Sequence, residues 1–229
     1  MELRQNSYDA FIRWLDTPTG AEFMQREATV LQTVLQQLHG SQLLLIGDDK
    51  FSNVNDFGYF SQFHTANFSS LNKKLPYDDG SFDCIVIPHC LAFVMQADLI
   101  IQELARILHG EGHIVVTSFN PFGYIAAAMH WRKKAYRDLV GMKPLSLSKF
   151  KHHVKRAELS VQEVKYFSYS CWVDKLAKLG PYLWPSCADA YAALLTKRVY
   201  AAKPIHVSWQ KNKANVVPKT GMASEGTHD

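Results

Sequence analysis

Three runs of the chain are apolar without alternation: Gln42 to Ile46 (QLLLI), Cys84 to Pro88 (CIVIP) and His113 to Phe119 (HIVVTSF). A strand with one wet face alternates polar and apolar residues, whereas a continuous apolar run of this length fits a strand buried on both faces, as in a parallel sheet. Between the second and third runs, Ile101, Leu104, Ile107 and Leu108 recur at helical spacing and predict a helix over 98–108, with Asp98 as a candidate N-cap. Ahead of the first run, Leu31, Val34, Leu35 and Leu38 fall at i, i+3, i+4 and i+7. They predict a helix over 19–39, ended by Gly40 in the left-handed conformation. A shorter helix over 7–15 carries Phe11, Ile12 and Leu15, and TPTG at 17–20 separates the two.

Elsewhere the pattern is weaker. One strand is expected near 63–68, and LPYDDGSFD at 75–83 and GEG at 110–112 are turn chemistry. Helices are expected from 120 to about 138 and over 147–158, and late strands over 160–169 and 190–200, paired as an antiparallel edge hairpin. Strand, helix and strand at this spacing form a βαβ unit with a right-handed crossover. The expected class is therefore a doubly wound α/β sheet, mostly parallel. The expected organisation is one domain over 1–203, with N-terminal helices at 7–39, and a polar, disordered tail over 204–229.

Composition narrows the function classes. No stretch of 18 apolar residues occurs, so no transmembrane helix is expected. The first residues, MELRQNSYDAF, lack the features of a signal peptide, and the cytoplasm is the expected location. Cys84, Cys90, Cys171 and Cys187 show no C-x-x-C spacing and read as reduced thiols. The net charge of +4 hides an asymmetry: residues 1–129 hold 7 Lys/Arg and 14 Asp/Glu, whereas residues 130–229 hold 18 and 7. Within 131–156 there are nine Lys/Arg against one acid, interleaved with Trp131, Tyr136 and Phe150. Two readings of that segment stand side by side: a surface for nucleic acid or another anionic partner, and a solvated helix face.

The stretch 75–119 resembles the small class I S-adenosylmethionine-dependent methyltransferases. The resemblance is carried by Leu75-Pro76-Tyr77, Gly80-Ser81-Phe82-Asp83, the E-x-x-R-x-L pattern from Glu103 to Leu108, and Gly110 with Gly112 before the next strand. It implies a Rossmann-like sheet and S-adenosylmethionine as cofactor. The family's first strand usually runs into G-x-G-x-G; here Gly47 matches the first glycine, while Asp49 and Phe51 stand at the second and third. Phe51 would have to point away or fill the adenosyl space. Only 36 residues separate Gly47 from Asp83, so one βα unit looks trimmed. The family's acids for the ribose hydroxyls and the adenine amine have no visible counterpart, since Asp56 is the only carboxylate between 50 and 77.

The resemblance puts the cofactor against Gly47, Asp48, Asp49, Leu75, Pro76 and His89, with Asp48 or Asp49 holding its cationic amino group. His89, at the end of the CIVIP strand, is a candidate contact to cofactor or substrate, or a general base. No catalytic residue is singled out, no G-x-S-x-G elbow occurs, and no metal site is expected, because His152 and His153 are adjacent on a helix and face apart. The expected activity is methyl transfer to an acceptor not identified by the sequence, small or macromolecular. The competing reading is a non-catalytic descendant that binds a partner or nucleic acid through its basic half.

Overall fold

The computed structural model describes residues 4–56, 58–131, 134–139, 141–168 and 188–197. Two helices, α1 (Gln5–Trp14) and α2 (Pro18–Leu35), precede the sheet. Tyr8, Phe11 and Trp14, three residues apart, form the buried stripe of α1. Thr17 caps α2 by accepting the Gly20 N–H, with Pro18 at the first helical position, where a missing N–H costs nothing. A Cβ on Gly20 would lie 2.2 Å from the Trp14 carbonyl oxygen, so glycine lets the helices approach this closely.

The strands are β1 (His39–Ile46), β2 (Tyr59–Ala66), β3 (Phe82–Pro88), β4 (Leu108–Phe119), β5 (Leu159–Phe167) and β6 (Ala190–Lys197). They form one sheet in the order β2-β1-β3-β4-β6-β5. The first four are parallel, and β6 runs antiparallel to both β4 and β5. The three apolar runs are thus the parallel centre, with β3 between β1 and β4, and Leu43 to Ile46, Cys84 to Pro88 and Ile114 to Phe119 are all buried. The antiparallel pair closes one edge as expected, with the later strand lying inside. Among the described residues the segment between β1 and β3 holds one strand and two 3-10 turns and no α-helix, which is the trimmed unit. Helices α3 (Ala97–Ile107), α4 (Tyr124–His130) and α5 (Leu147–Arg156) complete the domain.

Several boundaries differ from the sequence reading. Helix α2 ends at Leu35, and Gly40 is not its cap: it lies in β1 opposite Phe60. A Cβ there would come within 2.6 Å of the Asp83 side chain, whose Oδ2 accepts the Ser41 and Gln42 N–H groups. GEG at 110–112 is the start of β4, with Glu111 in the left-handed region, φ 67. The helix expected over 120–138 is shorter: α4 stops at His130 and a 3-10 turn follows over Lys134–Leu139. The tail expected from 204 lies outside the described residues.

The signature over 75–108 proves to be a clasp. Glu103 accepts the Leu75 N–H, and Arg106 donates to the Leu75 and Tyr77 carbonyl oxygens and to the carboxylates of Glu103 and Asp79. This ties the Leu-Pro-Tyr turn to α3 and leads the chain into β3. Hydrogen bonding from Arg106 holds Glu103 below the usual carboxylate range, against the opposing effect of burial.

Candidate cofactor and acceptor site

In an open α/β sheet, ligands bind outside the carboxyl ends of the strands where the strand order reverses. Here the reversal lies between β1 and β3, because β2 continues from one side of β1 and β3 from the other. Gly47 follows β1 at that point, with φ 155, a conformation that side chains with a Cβ rarely adopt. Its N–H donates to the Ala66 carbonyl oxygen. Pro88 and Cys90 lie opposite, each 3.7 Å from where a Cβ on Gly47 would stand. Asp48 is half-buried and folds the loop over itself by accepting the Lys50 N–H at 3.0 Å, while Asp49 is exposed. Phe51 turns inward and is buried. Asn67, exposed, directly follows β2.

Of the six residues expected to touch the cofactor, the structure gathers Gly47, Asp48 and His89 around this reversal, with Asp49 on its solvent side. Leu75 and Pro76 belong elsewhere: Leu75 is buried against Glu103 and Arg106 of α3, and Pro76 beside it is exposed. His89 does not stand at an open mouth. It has no exposed surface and takes up φ 54 at the end of β3, where its N–H donates to Thr117 of β4. Rings of Phe11, Phe23, Phe51 and Phe119 surround it, with centroids 5.3, 5.5, 6.5 and 4.4 Å away.

Two residues of the N-terminal helices complete the site. The Tyr8 hydroxyl lies at the reversal, beside Gly47, and Cys90 Sγ donates to it at 3.9 Å. Its ring stacks on Phe68 at 4.0 Å. Burial, then the neighbouring Cys90, raises the Tyr8 hydroxyl's pKa, and burial pushes the Cys90 thiol up to about 12. Both groups are therefore neutral at ordinary pH. Glu27 of α2, 1% exposed, accepts a hydrogen bond from Thr117 Oγ1 at 2.6 Å and lies 3.1 Å from His89 Nε2. A signal for Glu27 was present in the sequence: it falls on the apolar stripe of α2 between Phe23 and Leu31, where a charged residue has no place without a partner. Tyr8 carried the analogous mark, three residues ahead of Phe11 on the stripe of α1.

The last part of the basic segment is α5, an amphipathic helix. Phe150 and Val154 bury one side of α5 against α3 and β5, while Lys149, Lys151, His152, Lys155 and Arg156 are exposed. Asn120, after β4, ties two loops together: its Nδ2 donates to the Ala188 carbonyl oxygen and its Oδ1 accepts the Phe122 N–H, with Pro121 between them in sequence. Among the described residues no helix is long and apolar enough to cross a membrane.

The parallel centre, the antiparallel edge and the reversal at Gly47 define a Rossmann-like methyltransferase fold. Solved structures share it: a putative methyltransferase in complex with the Trm112 activator of Haloferax volcanii (12% identity, TM-score 0.59, 88% of this chain and 100% of that one) and a putative S-adenosylmethionine-dependent methyltransferase of Listeria monocytogenes (10%, 0.54, 76% and 97%). Residues 48–116 match the family model of a methyltransferase domain. Over that stretch the chain is similar to a methyltransferase domain. It is 30% identical over 101 residues to the ubiquinone/menaquinone biosynthesis C-methyltransferase UbiE of Haemophilus ducreyi, and over 87 residues to that of Vibrio cholerae. These matches cover 44% and 38% of this chain, which spans about a third of the relatives' length, 36% and 31%.

Proposed function

We propose that the protein transfers a methyl group from S-adenosylmethionine to an acceptor bound beside His89. The observation that carries this is the reversal at Gly47, where a glycine with φ 155 opens the strand end next to the half-buried carboxylate of Asp48. The residues fit the cofactor on the loop side: Gly47 permits close backbone approach, and Asp48 suits a cationic amino group. On the ribose side Asn67 offers an amide where the family has an acid, a weaker partner for two hydroxyls. When bound, S-adenosylmethionine supplies an electrophilic methyl group on a sulfonium. The protein's own contribution is to orient the reactants and to exclude water with Phe11, Phe51 and Phe119.

Tyr8 occupies the reversal, so a ligand seated there requires α1 to move. Such a ligand binds weakly, because closing energy opposes it. Titration calorimetry of the full chain with S-adenosylmethionine and with S-adenosylhomocysteine tests the proposal. Dissociation constants between about 10 μM and about 1 mM are expected. Absence of heat with either compound at millimolar concentration overturns it.

A further inference from the structure

The pair Glu27–His89 is costly for a core. A carboxylate and an imidazole lie with 1% and 0% exposure in a nest of phenylalanine rings, and isolated burial of such groups opposes folding. The pair is also incompletely satisfied. Thr117 Oγ1 fixes Glu27 Oε1, and His89 Nε2 approaches that same oxygen at 3.1 Å as an ion-pair contact. Among the described residues, Glu27 Oε2 and both ring nitrogens of His89 have no hydrogen-bond partner. These orphaned atoms sit at the carboxyl ends of β3 and β4, next to the reversal, where the fold places its chemistry. Fold stability alone would favour an apolar residue at position 27.

We infer that Glu27 orients His89 as the group that takes the proton of the methyl acceptor. The inference rests on the methyltransferase reading and narrows its substrate class. Nε2 stands 3.1 Å from Glu27 Oε1, and Nδ1, on the other side of the ring, has no partner among the described residues, which leaves it available to a proton from outside the pair. As the acceptor is methylated, its heteroatom–hydrogen bond breaks, the electron pair stays on the heteroatom, and the proton goes to Nδ1. The imidazolium so formed stands against the Glu27 carboxylate, which Thr117 holds in place. The acceptor is thus one that loses an N–H, O–H or S–H proton on methylation, not a thioether or tertiary amine, which has none to lose. Glu27 is a positioning residue, acting through His89, and Phe11 is the side chain that must withdraw to admit the acceptor.

The test needs no acceptor. Nitrogen-15 spectra of the histidine rings in the full chain, assigned with His89→Gln, should show neutral His89 protonated at Nε2; a proton at Nδ1 overturns the inference. Diethylpyrocarbonate, with modification mapped by mass spectrometry, then reads whether Nδ1 is a reachable nucleophile, with exposed His152 as internal reference. His89 should react through opening of α1, and Glu27→Gln should slow it at least about tenfold relative to His152, because the tautomer is no longer fixed. Glu27→Asp should recover part of the rate. Thr117→Val, which keeps the carboxylate and removes one hydrogen bond, should give an intermediate rate even if Glu27→Gln folds poorly. An unmodified His89 when His152 has fully reacted, or equal rates in all variants, overturns the inference. Saturating S-adenosylhomocysteine should protect His89; if it does not, the cofactor reading fails while the proton-accepting pair is judged separately by the other arms.

Discussion

The Tyr8 hydroxyl stands over Gly47, 3.3 Å from where a Cβ on that glycine would be. A residue from the first helix thereby occupies the strand end at which the fold receives its ligand. The contact belongs to a wider closure: Lys50 of the loop pairs with Asp16 beyond α1, the Trp14 indole N–H donates to the Ala135 carbonyl oxygen, and Arg4 donates to that of Gly141. Replacing Tyr8 by alanine should lower folding stability by about 3 kcal/mol, the order expected for truncating a buried aromatic side chain. The same change should tighten S-adenosylmethionine binding about tenfold, since a closed majority state reduces apparent affinity by the fraction that is open. Urea unfolding and calorimetry measure the two effects, and weaker binding by the variant would make Tyr8 a ligand contact and not an obstacle.

Gly47 itself is held by its backbone conformation as well as by space. Gly47→Ala should cost about 1–3 kcal/mol, the range for a residue forced into a sparsely populated region. Adding Tyr8→Phe removes the nearest atom but leaves φ unchanged. The double variant should therefore recover little of the loss, and a near-complete recovery in urea melts would show that crowding by Tyr8, not φ, sets the cost.

The central sheet was legible because a doubly buried strand leaves an unmistakable apolar run, as at Leu43 to Ile46, and because the Glu103–Arg106 spacing matches a turn that one helix must clasp. The edges were harder to read. Gly40 has the local mark of a helix cap, yet pairing with Phe60 of β2 and the close approach of Asp83 place it in a strand, and no local pattern carries either contact. The same limit hid half of the site. Gly47 and His89 announce themselves as strand ends, but Tyr8 and Glu27 reach them from helices more than 35 and 60 residues away in sequence. Their only local trace is a polar group on a buried helical stripe. The regularity of the Leu75-Pro76-Tyr77 motif has a structural cause that the sequence alone did not show: Glu103 and Arg106 of α3 hold its backbone.

The turn after β4 should tolerate little change. A Cβ on Gly123 would lie 2.6 Å from the Asp189 Cα and 2.7 Å from the Ala188 carbonyl oxygen, and backbone atoms cannot step aside as a side-chain tip can. Asp189, fully buried, is committed there as well, accepting the Ile125 N–H and a hydrogen bond from Ser168 Oγ. Gly123→Ala should destabilise the protein by about 3 kcal/mol, the upper part of the range for overpacking, whereas Phe122→Ala next to it, at an exposed position, should change stability by less than about 0.5 kcal/mol. Comparable losses in thermal unfolding would refute the steric argument.

The clasp between Glu103 and Arg106 should give the fold a measurable pH dependence. Arg106 is the first cause of the lowered Glu103 pKa. A carboxylate whose pKa is depressed by folding stabilises the native state above its unfolded value, and that contribution disappears as pH falls through the folded value. Arg106→Ala should cost about 2 kcal/mol at neutral pH, the order of a few charge-assisted hydrogen bonds. Little of this comes from Asp79, which is mostly exposed, so its pairing with Arg106 is screened. The gap between wild type and variant should hold down to the ordinary carboxylate range and shrink below it, because a protonated Glu103 no longer pairs and its hydrogen bond to the Leu75 N–H weakens. Urea unfolding of both proteins at neutral pH and at about pH 3 reads this directly. A gap that stays constant over that interval would mean that Arg106 acts through the Leu75 and Tyr77 carbonyl oxygens alone, and that the ion pair adds nothing to the clasp.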